Sequence, residues 1–492
     1  MKKILVANRG EIALRVMRTA KRMGIKTVAV YSEADARMPF VRFADEAYCI
    51  GPAPSSQSYL KADRILEVAA QCGADAIHPG YGFLSENASF SALCAANGIT
   101  FIGPDAQSIE TMGSKIGAKQ AAKKYNVPMV PGTDQPIPTV EEAKAIAEKT
   151  GYPLLIKASA GGGGKGMRIV HRAEELEEQF NMARSEALNS FNDDSVFIEK
   201  YVTGPRHIEI QILGDKQGNY VYLFERECSI QRRHQKLVEE APSSCLSPEI
   251  RAAMGQCAVD VAKACQYHGA GTVEFLVDAN LDFYFLEMNT RLQVEHCVTE
   301  EITGLDLVEE QIRVARGESL RFKQKDLKIN GHAIELRICA EDPLNNFLPD
   351  IGRLEVYRHP VGEGIRIDDG YEEGMDIPIY YDPMLGKLIA WGPDRNTAIA
   401  RLTKAIEAFR VNGIETTLPF GKWAINHPAF VEGQFDTHFI STYYKPELLT
   451  ALSEEEKNQA MLIALGLYKK NQEKLTPLPA QTSKWTNRRM RR

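Results

Sequence analysis

The sequence has no long apolar run, no CxxC pair and no surplus of positive charge, and each absence removes a class of protein. Lys2 and Lys3 precede a short apolar stretch, Ile4 to Ala7, that stops at Asn8 and Arg9, too brief for a signal-peptide core, and nothing elsewhere approaches a membrane span. A cytoplasmic protein with no membrane partner is expected. The net charge of −6 offers a nucleic-acid backbone no overall attraction, so nucleic acid is not expected as a partner. The nine cysteines (Cys49, Cys72, Cys94, Cys228, Cys245, Cys257, Cys265, Cys297 and Cys339) are an odd number and widely spaced, which argues against a structural zinc site and a disulfide framework. Glycine (37) and proline (24) are present at ordinary levels, so collagen-like and wholly disordered chains are excluded as well. At about 150 residues per domain, 492 residues predict a multidomain enzyme.

The chain opens as an apolar strand (Ile4 to Ala7), a turn (Asn8, Arg9, Gly10), a helix (Glu11 to Met23) and a second strand (Thr27 to Tyr31), a βαβ start. Further apolar runs at Tyr48 to Ile50, Ala76 to Ile77 and Thr100 to Ile102 alternate with helical stretches, which predicts an open parallel sheet of nucleotide-binding type. Its first turn lacks GxGxxG, so dinucleotide binding there is not indicated. Texture changes after Gly132, where a proline-bearing stretch leads into a small inserted unit. Beyond Tyr201 longer strands dominate as far as Trp391. A helix is expected over Ser453 to Lys470 and disorder from Thr476 onward.

Residues 158 to 167 read ASAGGGGKGM. Gly161, Gly163 and Gly166 satisfy GxGxxG, yet the following Met167 to Val170 is β-like, and Lys165 precedes Gly166 rather than Ser or Thr. Strand, glycine loop, strand is neither a dinucleotide turn nor a Walker loop; it is a flap whose backbone N–H groups could close over phosphates, with Lys157 as a point charge. Residues 283 to 295 read FYFLEMNTRLQVE and place Glu287, Asn289, Arg291, Gln293 and Glu295 at strict alternation. An unbent strand would spread them over roughly 26 Å, so the row must bend or serve different centres. If Asn280 and Leu281 form the preceding hairpin turn, Glu274 directly opposes Glu287, and two carboxylates about 5 Å apart call for a shared proton or a divalent cation. With the oxygen of Asn289 they suit Mg²⁺ or Mn²⁺. QRRHQK, from Gln231 to Lys236, concentrates Arg232, Arg233, His234 and Lys236 where phosphates or bicarbonate could be held. Glu335 and Arg337 alternate with Ile334, Leu336 and Ile338, and an inward Arg there can stabilise a developing oxyanion.

Taken in order, ANRGEIA (Ala7 to Ala13), HPGYGFLSEN (His78 to Asn87), ASAGGGGKGM, QRRHQK and EMNTRLQVEH (Glu287 to His296) resemble the biotin carboxylase family of the ATP-grasp superfamily from Lys3 to about Tyr444. The resemblance implies a mixed α/β and α+β chain. Residues 1–113 would form an N-terminal Rossmann-like (pre-ATP-grasp) domain, and 114–330 an ATP-grasp region with a small lid at 132–203. Residues 331–446 would form a β-rich C-terminal domain, and 447–492 a helix and basic tail. It implies ATP-dependent carboxylation of biotin by bicarbonate, through carboxyphosphate.

Carried over motif by motif, Lys115 and Lys157 would hold ATP phosphates beneath the loop Gly161, Gly162, Gly163, Gly164, Gly166 and Met167, with Glu199, Lys200 and Val202 lining the adenine pocket. His207, Gln231 and His234 would surround the ribose and phosphates, and Glu274, Glu287 and Asn289 would carry Mg²⁺ or Mn²⁺. Arg291, Gln293 and the Val294 backbone would hold bicarbonate, with Lys236 near the transferred phosphate. Glu295 would act as base and Arg337 would stabilise the enolate-like biotin oxygen. No AMKM-type attachment sequence occurs, so biotin is expected on a separate carrier protein, alongside a separate carboxyltransferase subunit. The enzyme itself is expected to be a homodimer. The implied acceptors are acetyl-CoA, as in fatty acid biosynthesis, or propionyl-CoA, with the biotin carboxylase of a two-subunit pyruvate carboxylase as the alternative. SKWTNRR (Ser483 to Arg489) resembles the linker of propionyl-CoA-type enzymes. A ligase joining a carboxylate to an amine, and a catalytically silent scaffold, are the readings that the intact motifs argue against.

Overall fold

The structure is a computed structural model that describes residues 1–133, 135–158, 167–191, 193–450 and 454–474. It divides into two units, Met1–Tyr444 and Lys445–Arg492.

The first unit begins with β1 (Lys3–Val6), β2 (Lys26–Ser32), β3 (Glu46–Gly51), β4 (Ala76–His78) and β5 (Thr100–Phe101), a parallel sheet in the order β3-β2-β1-β4-β5. Ile4, Leu5, Val6, Val28, Ala29 and Val30 are wholly buried, as strands covered by helices on both faces require. The helix Gly10–Arg22 buries Ile12, Ala13, Val16, Met17 and Ala20, apolar positions at helical spacing, against that sheet.

The inserted unit is built from β6 (Leu154–Ala158), β7 (Met167–Val170) and β8 (Val196–Lys200), paired antiparallel in the order β7-β6-β8. Leu154, Ile156, Val170, Val196 and Ile198 meet Phe180 and Ala183 from one helix and Ala143 and Ala147 from another, a core of its own. Lys157 pairs with Met167 at the end of the β6–β7 ladder. The glycine loop, with Gly161, Gly162, Gly163, Gly164 and Gly166, lies outside the described residues.

The largest element is an antiparallel sheet of eight strands. It contains β9 (Arg206–Gly214), β10 (Tyr220–Arg232), β11 (Gln235–Ala241), β12 (Gly269–Val277), β13 (Phe283–Asn289) and β14 (His332–Cys339), then the strands Met384–Gly392 and Ile365–Asp369. The order runs β13-β12-β9-β10-β11-β14 and ends on those last two. The ladder from β11 to β14, in which Glu239 faces Glu335, carries the sheet across the expected division at 330/331.

One local expectation is corrected. The hairpin loop is centred on Asn280, with Asp278 bonded to Asp282 and Val277 facing Phe283, rather than on Asn280 and Leu281. A bulge between Glu274 and Phe275 then shifts the register by one, and that shift places Glu274 opposite Glu287. The row of alternating residues bends, as its length requires: the chain leaves β13 at Asn289, turns, and starts the helix His296–Thr303, so Arg291, Gln293 and Glu295 lie off the strand.

The second unit contains the helices Glu447–Thr450 and Glu454–Lys474, the latter replacing the expected 453–470; residues 475–492 lie outside the described residues. Among the described residues, no helix is long and apolar enough to cross a membrane.

Candidate active site

Sheet register builds the site. Arg226 on β10 faces Glu209 on β9, Glu209 faces Glu274 on β12, and Glu274 faces Glu287 on β13, one row of a cation and three carboxylates across four strands. Unrelieved, like charges directly opposed on adjacent strands destabilise a sheet. Two buried cations supply most of the relief. Arg226 donates to Glu209 (2.5 Å), Gln211 (2.7 Å), Thr299 (3.0 Å), Thr272 (3.1 Å) and Gln293 (2.6 Å), using every N–H of its guanidinium. Lys236 donates to Glu209 (2.5 Å), Glu295 (2.7 Å) and Glu274 (3.1 Å). Burial works against the Lys236 charge, but these three carboxylates outweigh it and hold its pKa well above the usual lysine value.

Glu274 also accepts from Asn289 (2.9 Å) and Gln293 (2.8 Å), and His207 Nε2 stands 3.0 Å from its other oxygen. Burial raises the Glu274 carboxyl, and Lys236 and His207 more than reverse this, leaving it well below the carboxylate range. His207 therefore stands beside the acidic row. Glu287 opens to solvent and accepts no hydrogen bond from a described group, while its surroundings and the neighbouring Glu274 charge raise its carboxyl. Two adjacent carboxylates, one lacking a cation of its own, form a donor set that fits Mg²⁺ or Mn²⁺. Asn289 accepts from Arg291 on its oxygen (2.9 Å) and donates to Glu274 from its nitrogen.

Arg291 is fixed by a second acid, Glu86, whose carboxylate accepts from Arg291 Nε (2.8 Å) and from the Thr290 N–H (3.1 Å). Glu295, wholly buried, lies between Lys236 (2.7 Å) and Arg337 (2.9 Å). Burial pushes its carboxyl up, and those two cations hold it well below the ordinary value, so it stands as a carboxylate, the form a base needs. Arg337 is anchored from behind by Glu239 (2.6 Å), whose own pKa burial pushes up to about 7.

Gln231 faces Lys236 on the β10–β11 hairpin, and Arg233 and His234 form its two-residue turn with φ of +49° and +67°. Such a turn ordinarily takes Asn-Gly, so an exposed Arg-His pair holds a conformation that these side chains disfavour. A separate group occupies the inserted unit. Glu199 on β8 bridges Lys157 (2.5 Å) and Lys119 (2.6 Å), while Lys200 turns its ammonium to the carbonyls of Gly151 and Tyr152. Lys115 heads the helix Lys115–Lys123, capped by Ser114; the Lys115 side chain is outside the described part. Val202 follows β8, half-buried, and Met167 opens β7, exposed.

Glu209, Arg226, Glu86 and Lys119 are site residues that the sequence reading misses. His207, Glu209 and Gln211 alternate with Ile208, Ile210 and Ile212, the same signal that exposes the Glu287 row.

A small three-stranded unit inserted before an antiparallel sheet with an acidic row and buried cations is the ATP-grasp arrangement. The chain matches "Biotin carboxylase, N-terminal domain" over residues 1–109, "Carbamoyl-phosphate synthase L chain, ATP binding domain" over 114–323 and "Biotin carboxylase C-terminal domain" over 335–442. It is 56% identical to a pyruvate carboxylase subunit of Methanothermobacter thermautotrophicus over 90% of each chain. It is 54% identical to the human mitochondrial propionyl-CoA carboxylase alpha chain, over 95% of this chain and 64% of that longer one. The solved biotin carboxylase domain dimer of Hydrogenobacter thermophilus 2-oxoglutarate carboxylase, crystallised with MgADP, ADP and bicarbonate, superposes with a TM-score of 0.85 at 48% identity, covering 92% of this chain and 99% of that one. The chain belongs to the biotin carboxylase family, and it is an ATP-grasp ligase.

Proposed function

We propose that this chain uses ATP and bicarbonate to carboxylate biotin carried on a separate protein, as the first half-reaction of a biotin-dependent carboxylase. The observation that carries this reading is Glu295 held as a carboxylate between Lys236 and Arg337, beside the Glu274–Glu287 pair. Arg291, Gln293 and the Val294 backbone orient bicarbonate, and Glu295 takes its proton as its oxygen attacks the γ-phosphorus and ADP leaves. Carboxyphosphate then yields CO₂ and phosphate, the phosphate takes the N1 proton of biotin, and the nitrogen so freed bonds the CO₂ while Arg337 stabilises the enolate-like oxygen. A divalent cation, held by Glu274 and Glu287, would neutralise phosphate charge. Lys115, Lys157 and the glycine loop close over the phosphates, with residues 132–203 as the lid. Glu199, Lys200, Val202, Gln231 and His234 complete the nucleotide pocket, and shielding from water gives the lid its purpose.

For the final acceptor we favour an acyl-CoA of the propionyl type, because the human alpha chain aligns over 472 residues, past Tyr444 and into the second unit. The second reading, pyruvate, rests on the 56% identity to the Methanothermobacter pyruvate carboxylase chain over 90% of both. A homodimer fits the dimeric neighbour. The test is ATP cleavage by the purified chain: it should require bicarbonate and rise with free biotin, whereas cleavage dependent on an amine would exclude the reading.

A further inference from the structure

Beneath the turn Arg291–Glu295 lies a fully buried lysine that no step above uses. Lys387, on the strand Met384–Gly392, is directly opposite Arg337 on β14, so the two cations stand side by side on one face of the sheet. They grip consecutive residues: Arg337 holds the Glu295 carboxylate at 2.9 Å, and Lys387 donates to the Val294 carbonyl at 2.8 Å. Burial opposes the Lys387 charge, and the ionisable groups around it, Cys297, Glu11, Glu335 and Asp368, outweigh that opposition. Glu11 approaches Lys387 Nζ to 3.3 Å and accepts from the Tyr81 hydroxyl. Its helix can come so near because position 370 is glycine; a Cβ there would stand 2.6 Å from the Glu11 nitrogen.

The geometry of the turn gives this contact a consequence. The Gln293 carbonyl accepts from His296 Nδ1 at 2.8 Å, and the Val294 carbonyl from Lys387. In a planar trans peptide the N–H points opposite to the carbonyl before it. Pinning these two oxygens therefore aims the N–H groups of Val294 and Glu295 the other way, and neither donates to any described group. Successive free amides of this kind can make an anion cradle.

We propose that Lys387 is a positioning residue for bicarbonate: by holding the Val294 carbonyl it fixes the peptide whose N–H, with that of Val294, receives the anion. This rests on the assignment of bicarbonate to the turn. The test compares Michaelis constants for bicarbonate and ATP in folded variants, with circular dichroism as the fold check. The double variant Lys387→Met with Glu11→Gln removes both charges of the buried pair and leaves no orphaned carboxylate between them. Lys387→Arg keeps the charge but moves the donors onto a planar fork. Both should raise the bicarbonate constant about tenfold or more, the scale of a misplaced oxyanion donor, with the ATP constant within about threefold. Should the double variant not fold, Lys387→Arg decides alone. A bicarbonate constant within about twofold of the parent in either folded variant, while Arg291→Ala raises it about tenfold, overturns the role of Lys387 and leaves the bicarbonate assignment standing. If Arg291→Ala leaves it unchanged as well, the assignment itself falls.

Discussion

Replacing Glu295 by Gln changes one charge and almost no volume at the centre of the site. The carboxylate accepts from Lys236 at 2.7 Å and from Arg337 at 2.9 Å, so the amide must turn its NH₂ toward one of the two cations and lose that bond. A hydrogen bond to a charged group contributes about 1.5–3 kcal/mol. The cations are not stranded, because Lys236 keeps Glu209 and Glu274 and Arg337 keeps Glu239. The expected cost is therefore about 1.5–3 kcal/mol, inside the roughly 5–15 kcal/mol that folded domains possess. The variant should fold and bind ATP with a Michaelis constant within about threefold of the parent. Bicarbonate-dependent ATP cleavage should fall about 100-fold to 10,000-fold, the range for a lost general base. A coupled ADP assay measures turnover, and urea unfolding measures the stability loss. Turnover within about tenfold of the parent, in protein of near-normal stability, would refute the reasoning that this carboxylate is the base.

Glu287→Gln should leave cleavage measurable at saturating Mg²⁺ but depress it about tenfold or more when Mg²⁺ is limiting, since Glu274 and Glu287 face each other and would hold the cation together; an unchanged Mg²⁺ titration would contradict that role. Arg337→Ala should abolish biotin carboxylation while nucleotide affinity by calorimetry stays within about tenfold, or roughly 1.4 kcal/mol, and loss of ATP binding would reverse the assignment. His78, wholly buried, has its pKa pulled by burial from 6.5 down to about 4. The unfolded chain therefore binds the extra proton first, and stability is lost as pH falls from 6.5 towards 4, by about 2 kcal/mol at pH 5. His78→Gln should shrink the difference in urea midpoint between neutral pH and about pH 5, and an unaltered difference would show that His78 does not carry it.

The acidic pair was legible because alternation and hairpin arithmetic both act locally: Glu274 and Glu287 are separated only by one tight turn. Even so, the register was reached through a bulge after Glu274 that offsets a turn centred on Asn280, and one-residue bulges leave no reliable mark in sequence. Glu209 and Arg226 escaped notice because His207, Glu209 and Gln211 read, in isolation, as the solvent face of an amphipathic strand. Only their place between β10 and β12 turns that face into the floor of the site. The Arg233–His234 turn was hidden because its type is normally announced by Asn-Gly. Glu86 and Lys387 reach the turn Arg291–Glu295 from distant parts of the chain, and no periodicity spans such separations.

If one cleft couples ATP to bicarbonate and passes the carboxyl group to biotin, an oxygen of bicarbonate must end on phosphate. Isotope transfer tests it most directly: the purified chain is incubated with ATP, Mg²⁺, free biotin and ¹⁸O-labelled bicarbonate. ADP formation should depend on bicarbonate, one ¹⁸O atom should appear in the released phosphate, and carboxybiotin should form in proportion to the ADP formed in the presence of biotin. Phosphate without label, or ADP formation indifferent to bicarbonate, would contradict that coupling.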